Sequence, residues 1–512
     1  MKSLFYISLL LFLTACGVNR HSFSPEKKYP PEQLQKDYAV FQSLLQAHHP
    51  GLYWYTSKDS MDYYFSFGKQ QLKDSMTEAQ FRKVLSWIAA KVNCGHTTVR
   101  SSKRSSKYFD TARLGRMFPL SVKVWSPGAS SQNDTMVVTA NLNRRDSILK
   151  RGMVITAINN RPVSKITDTL FEYISTDGYN TTHKFQMLSN RGNFGSLYSS
   201  VFGVAPTYKI DYIDSTGKPG TTVIPVYNPV ADTTQRRGTR TFRTAPAPEQ
   251  PRLSKRQIRL QRLNAIRLLK IDTVNRTAMM DLASFAKNNG LRKFFRQSFK
   301  TLQQNKISHL IIDVRSNGGG SVSNSTLLTK YLANSPFKIA DSLYAVRKNS
   351  TYQRYIEAHF WNKLFILLLT KKKADGNYHF GYFENKYFNP KTHNHYDGKV
   401  YVLTGGNSFS ATTLFATALK KQENVTMVGE ETGGGAYGNS AWLIPDVTLP
   451  ETHIRFRLPL FRLVIDKTIP KNGKGVQPEV FSLPTVEAVR RNSDFKLDTA
   501  MELIKKDKAS RQ

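Results

Sequence analysis

Cysteine is nearly missing from this chain of 512 residues, which contains only Cys16 and Cys94. With Cys16 inside a leader-like start, no pair remains for an internal disulfide, and a disulfide-stabilised fold is excluded. We expect Cys94 to be a small buried apolar residue. Acidic residues are also scarce, since 37 Asp and Glu stand against 74 Lys and Arg and leave a formal net charge of +37.

Long apolar runs are missing outside the first twenty residues, MKSLFYISLLLFLTACGVNR. This run is too short for a comfortable membrane span and stands where the apolar region of a secretory signal is expected. Its segment LTAC resembles the lipobox of bacterial lipoproteins, which implies a signal peptide over residues 1–15 and a lipid anchor on Cys16. The expected location is then the bacterial cell envelope, facing the periplasm or the cell surface. A plain signal peptide with an incidental cysteine is the alternative.

The basic excess is concentrated in residues 229–270, which we assign to a basic linker and helix. Within them, residues 236–270 carry eleven Lys or Arg and a single acid, Glu249. Such a patch can bind nucleic acid or an anionic membrane face. An exported chain rarely meets nucleic acid, so we do not expect that partner. A solvated linker and a membrane-surface scaffold stay open.

Hydrophobic spacing divides the remaining chain into further regions. Residues 16–112 repeat apolar side chains every three or four positions, which predicts helices. Residues 113–228 read as short alternating strands. Strands and helices alternate over residues 271–485, which predicts an α/β core with a mainly parallel sheet and a lid insertion at 341–397. Residues 486–512 are assigned to a C-terminal helix and tail.

The strand-rich region contains SILKRGMVITAINNRPVSKI, which resembles the central segment of PDZ domains. Met153 replaces the usual acid and Asn160 the usual glycine, but asparagine also tolerates the left-handed turn conformation. PDZ-like modules capture an extended peptide end by adding it to a sheet edge. A β-rich module that only packs on its neighbours is the alternative.

Metal and nucleotide sites are not expected. His48 and His49 are adjacent and therefore point apart. His393 and His395 have strand spacing, but no cluster of cysteines or carboxylates joins them. The glycines after the strand LIIDV lack the Gly-Lys-Ser/Thr ending of phosphate-binding loops. We therefore predict no cofactor.

Two segments are suited to acyl-transfer chemistry. Gly318, Gly319 and Gly320 follow a buried strand, and glycines there let backbone amides approach a ligand as an anion-binding nest. Ser410 stands before the helix beginning at Ala411, where free amides and the helix dipole favour developing negative charge. A simple helix cap is the alternative function of this serine.

Six segments occur in the order seen in the S41 family of serine peptidases: HHPGLYWY, NCGHTTVR, LIIDVRSNGGG, SFSATTLFATALKK, TMVGEETGGGAYG and GKGVQPEV. The resemblance covers most of residues 31–485. The S41 family comprises the tail-specific proteases and the tricorn-like branch. It implies a ClpP/crotonase-like catalytic core with an N-terminal helical region and an inserted PDZ-like β-rich domain. It also implies a serine-type peptidase that acts on polypeptides.

The resemblance assigns the nucleophile to Ser410, with Ser408 as competitor. Processing proteases use a lysine as base about twenty-five residues later, where this chain has Gly435, which cannot accept a proton. The tricorn-like branch uses a histidine from a Gly-His-Thr or Ser-His-Thr segment instead. CGHTT matches that segment at His96, an imidazole suited to general-base catalysis.

The residue that orients His96 stays open at this point. The serine that precedes the histidine in the tricorn-like branch is Gly95 here, so its link to a supporting carboxylate is missing. Thr97, Glu430 and Asp466 are the candidates, and the sequence does not rank them.

The resemblance further implies an oxyanion hole from the amides of Gly318 or Gly319 together with Ala411. The leading hypothesis is a lipid-anchored serine endopeptidase of the cell envelope that cleaves exported or misfolded proteins. The alternative is a catalytically inactive peptide- or ligand-binding lipoprotein on the same fold, since Gly95 and Gly435 depart from the family pattern.

Overall fold

The computed structural model describes residues 23–111, 115–126, 134–229 and 253–510. The predicted signal peptide, Cys16 and most of the basic linker lie outside these residues. Within the described part of the chain, no helix is both long and apolar enough to cross a membrane.

The N-terminal region is helical, as its apolar spacing predicts. Its helices are Pro31–His48, Lys58–Gln70, Glu78–Lys91 and Lys103–Thr111. Thr77 and Gln80 form a reciprocal capping box at the start of the third helix, which fixes where that helix begins. Strands Lys28–Tyr29 and Met76–Thr77 pair as a two-stranded antiparallel ribbon, which connects the start of the region to this cap.

The β-rich module is an antiparallel sheet with three helices on it. Its strands are Leu120–Trp125, Thr135–Asn141, Val154–Ile158, Arg161–Pro162, Thr207–Ile213 and Pro219–Pro225. Its helices are Val163–Phe171, Thr181–Ser189 and Asn193–Phe202. Alternate strand residues such as Val122, Val124 and Met136 point into a separate apolar core, as period-two spacing requires.

The α/β core is built on a six-stranded sheet, which confirms the predicted α/β architecture. The strands, in sheet order, are Arg267–Asp272, Thr277–Leu282, His309–Asp313, Lys399–Thr404, Val425–Gly429 and Val480–Phe481. The first pair is antiparallel and all other neighbours are parallel. The basic helix Lys255–Asn264 leads into this sheet and has no buried residue.

Helices cover both faces of the sheet, because its central strands are apolar on both sides. One face packs on helices Leu291–Gln304, Val322–Leu332 and Ala411–Leu419, and the other on Phe495–Ala509. A short helix, Val486–Arg491, precedes the last one. The parallel strands therefore bring the turns after His309–Asp313 and Lys399–Thr404 to one edge of the sheet.

A second sheet lies beside the core and carries the insertion. Its strands, in order, are Lys371–Lys372, Tyr378–His379, Ser342–Ala345, Phe461–Val464 and Gly438–Ala441. The insertion adds helices His359–Leu369 and Gly381–Glu384. A three-stranded sheet of Asp446–Thr448, Arg455–Arg457 and Val99–Arg100 joins the N-terminal region to this part of the chain.

Candidate active site

Ser410 lies in a sharp turn between the strand Lys399–Thr404 and the helix Ala411–Leu419. Its backbone has φ 59° and ψ −122°, a conformation that a residue with a side chain rarely adopts. Strain of this kind concentrates at functional sites, and the same strand–turn–helix arrangement exposes the serine in nucleophile elbows. Ser410 is partly exposed and lines a cleft of about 650 Å³, which we call the Ser410 cleft.

Ser408, the competing serine, is placed differently. It is fully buried, and its hydroxyl donates to the carbonyl of Val314 at 2.8 Å and accepts from the amide of Gly405 at 3.2 Å. These bonds use the hydroxyl to hold the turn together. The geometry therefore favours Ser410 over Ser408 as the nucleophile.

Gly319 packs directly against the nucleophile. A Cβ atom on it would lie 2.7 Å from the Ser410 Cβ and 2.9 Å from the Ala411 nitrogen, and its φ is +98°. Its own N–H donates to the Asn317 side chain at 2.9 Å, so this amide is not free for an oxyanion. Gly319 instead allows its backbone to approach Ser410 closely, which only a residue without a side chain permits.

The other two expected donors are the amides of Gly318 and Ala411. Ala411 is the first residue of its helix, where an N–H has no intrahelical acceptor. The Cβ position of Gly318 faces open space, with no atom within 4 Å. No described acceptor takes either N–H, so Gly318 and Ala411 both stay candidate donors to an oxyanion at Ser410.

His96 lies in the loop after the helix Glu78–Lys91 and packs on the residue that precedes the nucleophile. The imidazole and the ring of Phe409 have centroids 5.1 Å apart. Neither nitrogen of His96 has a hydrogen-bond partner among the described residues, so no bond joins it to Ser410. Burial, with the positive charges of Arg457 and His183, lowers the pKa of His96 to about 3.

In the structure, the three candidates for orienting His96 all bond to other groups. The hydroxyl of Thr97 bonds the Nε2 atom of His49 at 2.8 Å. Glu430 forms an ion pair with Lys496 at 2.5 Å. Asp466 is paired with Lys421 and accepts from Thr468.

A carboxylate that the sequence analysis missed, Asp177, lies beside His96. One ligand atom each of Asp177, His96 and Cys94 lies within 4.8 Å of the other two. The Asp177 oxygens accept from the amides of Gly95 at 2.9 Å and Gly435 at 3.2 Å. Burial raises the pKa of Asp177 to about 6, although these two hydrogen bonds act in the opposite direction.

Asp177 belongs to the β-rich module and lies more than eighty residues from His96 in the sequence. Tertiary contacts therefore bring it to the histidine. The Gly178 amide donates to the carbonyl of Asn93 at 2.9 Å, and the Ser175 hydroxyl to that of Thr97 at 2.7 Å. No motif in the surrounding STDGYN marks this aspartate as functional. Only the docking of the two loops brings it to the histidine.

The departures from the family pattern have structural explanations. A side chain on Gly95 would overlap the Phe409 ring, whose Cζ atom lies 2.3 Å from the Cβ position. Gly435, in the place of the processing proteases' lysine, directs its amide at Asp177. Both glycines therefore belong to the packing around His96.

The same cluster contains ligand types that zinc prefers, namely a thiol, an imidazole and a carboxylate. Two features oppose a cation there. Burial raises the pKa of the Cys94 thiol to about 11, whereas a metal binds the thiolate. The buried Arg462 guanidinium also acts electrostatically on Cys94 and Asp177. We assign no metal to these residues.

A second histidine missed in the sequence, His183, packs on Phe409 with ring centroids 4.9 Å apart. Its Nδ1 atom bonds the carbonyl of Gly406 at 2.7 Å, which fixes the ring. Together with Phe409, Gly95 and Gly318 it lines a second cavity of about 680 Å³, which we call the Phe409 cavity. Space for a ligand therefore exists on both sides of the turn that carries Ser410.

The Ser410 cleft runs along the edge strand Gly438–Ala441. Asn439 and Ala441 of this strand line the cleft, and Asn439 is 2% exposed. The Oδ1 atom of Asn439 has no hydrogen-bond partner among the described residues. A strand at the end of a sheet and an unused acceptor in a cleft can bind the backbone of an extended peptide.

Comparisons with known proteins agree with this geometry. Residues 276–481 match the family model described as peptidase family S41. The structure of mature CPAF superposes with a TM-score of 0.60 at 15% identity, over 93% of this chain and 97% of that one. A mutant of CPAF gives 0.62 at 14% identity, over 93% and 98%. At these identities the likeness shows the fold. No curated protein sequence matches the chain.

Proposed function

We propose that this chain, a peptidase whose residues 276–481 form an S41 domain, is a serine endopeptidase that acts through Ser410 and His96. The observation that carries the proposal is the conformation of Ser410. Its strained turn, at φ 59°, places a partly exposed serine at the cleft, directly before the first residue of a helix. This is the arrangement that a serine nucleophile needs.

The proposed reaction begins with attack of the Ser410 oxygen on a peptide carbonyl carbon while His96 accepts the hydroxyl proton. The Ala411 amide stabilises the resulting oxyanion, and one such donor contributes about 3 kcal/mol to lowering the barrier. The C–N bond then breaks, and His96 returns the proton to the leaving amine. Water then attacks the acyl-enzyme while His96 accepts its proton, and His96 returns this proton to the Ser410 oxygen as the ester bond breaks.

His96 requires a rearrangement for this role. In the structure its two nitrogens are free and its ring lies on Phe409. Catalytic hydrogen bonds are often formed only in the complex with substrate. We infer that movement of the Phe409 side chain brings His96 and Ser410 into contact. An ionised Asp177 then stabilises the imidazolium and raises its pKa toward the working range.

Cleavage within a chain, rather than at its end, is supported by the two cavities. Two adjoining segments, Gly318–Gly319 and Phe409–Ser410, separate the Ser410 cleft from the Phe409 cavity. A peptide added to the edge strand Gly438–Ala441 would pass the nucleophile and continue beyond it. The unpaired Oδ1 atom of Asn439 would accept one of its backbone N–H groups.

We further propose that the enzyme is held at the bacterial cell envelope by a lipid on Cys16 and cleaves exported or misfolded proteins. The motif LTAC supports the anchor. The antiparallel module, in the role of a PDZ domain, would present the end of the substrate. An inactive peptide-binding protein on the same fold is the competing function.

The test compares the purified chain with Ser410→Ala, His96→Ala and Ser408→Ala on a panel of unfolded proteins. Loss of cleavage is expected for the first two, whereas Ser408→Ala, which removes two hydrogen bonds from the turn, should lower cleavage without abolishing it. A fluorophosphonate probe should label the unsubstituted chain at Ser410. Absence of both labelling and cleavage would favour the binding protein, and full activity of His96→Ala would assign the base elsewhere, His183 being the nearest candidate.

A further inference from the structure

The insertion contains a helix, His359–Leu369, that presents large apolar side chains to solvent. Of its residues, only Ile366 is buried. The exposed fractions are 61% for Phe360, 67% for Trp361, 53% for Leu367, 69% for Leu368 and 49% for Leu369. A contiguous patch of this kind on a protein surface marks an interaction site.

Most of these side chains share one side of the helix. At 100° per residue, Phe360, Leu364 and Leu367 follow one another along it, with Trp361 and Leu368 beside them. The rings of Phe360 and Trp361 meet edge to face with centroids 5.4 Å apart. We call this stripe the apolar helix face.

Exposed lysines border the apolar helix face. Lys363 lies on the helix, and Lys371 and Lys372 follow its C-terminal end. None of the three forms an ion pair with a carboxylate that the structure describes. Of the acids nearby, Glu357 precedes the opposite end of the helix, and Asp375 is hydrogen-bonded within its own hairpin.

We propose that the apolar helix face docks on an anionic lipid surface. A helix of 11 residues is about 16 Å long, too short to span a bilayer but suited to lie in its interfacial plane. Trp361 has the amphipathic ring that favours the headgroup level. The lysines would pair with lipid phosphates while the leucines and Phe360 enter the acyl boundary.

A second copy of the chain fits this face less well. A two-fold contact would bring Lys363 and Lys371 of both copies together, and like charges repel. A stable dimer also buries about 800 Å² on each partner, from some 20 to 30 residues, which one short helix does not provide. The charge and the size of the face both favour lipid.

Docking would place the mouth of the Ser410 cleft near the lipid surface. The ring of Phe365, on the inner side of the helix, contacts Phe380 at 5.4 Å, and Phe380 contacts Phe383 at 5.3 Å. Phe383 contacts Trp442 at 4.6 Å, and both line the cleft. This row of rings connects the helix to the cleft. The docking itself does not depend on the activity of Ser410.

The test is sedimentation with vesicles, using the chain from residue 16 with Cys16→Ala so that no acyl chain is attached. Vesicles of phosphatidylcholine with phosphatidylglycerol should bind the protein, less so as salt rises, and phosphatidylcholine alone should bind it weakly. The double variant Trp361→Ser/Leu368→Ser should lower binding at least about tenfold. Lys371→Glu/Lys372→Glu should lower binding only to the anionic vesicles.

Val274→Ser is the matched control, since Val274 is 91% exposed but lies outside the insertion. It should bind like the unsubstituted chain, and all variants should keep its melting temperature because the altered side chains are exposed. The proposal is overturned if anionic vesicles fail to bind the chain, or if Trp361→Ser/Leu368→Ser binds as the control does. A dimer in light scattering that this variant dissolves would assign the face to a second copy instead.

Discussion

Asp177 is the residue whose protonation should control the pH response of the enzyme. It lies within 4.8 Å of His96, and burial raises its pKa to about 6. Above that pH it carries the negative charge that stabilises an imidazolium, and below it that charge is lost. His96 itself, with its pKa near 3 before substrate binds, stays neutral over this range.

We therefore expect kcat/KM to fall on the acid side of about pH 6. Asp177→Asn, which keeps the shape and removes the charge, should lower kcat by on the order of 10²- to 10⁴-fold and abolish this acid limb. The measurement is a pH–rate profile of both forms with one peptide. Thr97→Val serves as comparison, since Thr97 bonds His49. If the acid limb persists unchanged in Asp177→Asn, the titration of another group is responsible for it.

At the scale of elements, the close approach of Gly319 to the start of the Ser410 helix constrains the position of the serine. Gly319→Ala introduces a Cβ atom 2.7 Å from that of Ser410 at a φ of +98°. We expect activity to drop at least about a hundredfold, because displacement of the nucleophile misaligns attack. The readout is kcat/KM together with fluorophosphonate labelling.

Gly217→Ala separates backbone strain from displacement of the nucleophile. Gly217 also has positive φ, at +86°, in a hairpin of the β-rich module with no atom within 4 Å of its Cβ position. It should lose about 1 kcal/mol of stability and keep its activity. Equal loss of activity in both variants would show that the contact at Gly319 is not the cause.

The elements were predictable because their signals are local. Helices such as Glu78–Lys91 and strands such as His309–Asp313 follow from apolar spacing and caps within a few residues. The turn at Ser410 was recognisable for the same reason. Asp177 was not, because its proximity to His96 depends on the docking of loops from two regions.

The contacts made by the other candidate residues also depend on tertiary packing. Glu430 and Asp466 were plausible partners for His96 by residue type, yet lysines from distant segments neutralise both. The amide of Gly319 was expected to be free, but the side chain of Asn317 accepts its hydrogen bond. Such pairings arise from tertiary packing, which spacing along the chain does not encode.

At the scale of the whole molecule, buried histidines should make the fold sensitive to acid. Burial lowers the pKa of His48 to about 4 and that of His49 to about 3, as for His96. Between pH 6.5 and these values the unfolded chain binds protons that the folded chain does not. The free energy of unfolding therefore decreases as pH falls, by about 2 kcal/mol for each histidine between pH 6.5 and 5.

Asp177 has the opposite effect on the free energy of unfolding. Because its pKa is raised, the folded chain binds a proton between about pH 6 and 3.8 that the unfolded chain does not. This proton offsets part of the stability that the histidines lose. The net expectation is a lower melting temperature at pH 5 than at pH 7, measured by calorimetry. His49→Gln should flatten this dependence. A melting temperature that rises toward pH 5 would contradict the account.

The charge of the molecule should also influence which peptides bind. Four cations line the Ser410 cleft, namely Lys287, Arg292, Lys330 and Lys386, and none of its described lining residues is an acid. A cleft with one sign of charge attracts oppositely charged ligands. Peptides rich in Asp and Glu should have a higher kcat/KM than neutral ones, and the difference should shrink as salt rises.

Lys330→Gln tests this preference. Lys73→Gln is the control, since Lys73 is exposed and lies outside the cleft. The first should lower kcat/KM for the acidic peptide about threefold to tenfold and leave the neutral one unchanged. Equal effects on both peptides would mean that Lys330 acts through structure rather than charge.

Asp177, His96 and Ser410 come from three regions of the chain, and only the serine belongs to residues 276–481. The module of Asp177 has an apolar core of its own, whereas the N-terminal helices share a core with Leu414 and Ala418 of the Ser410 helix. A nascent or clipped chain that lacks either of the other regions would hold a nucleophile with nothing to activate it. Assembly of the full set thus works as a safeguard. In the proposed mechanism, peptide hydrolysis therefore begins only after all three regions have folded together.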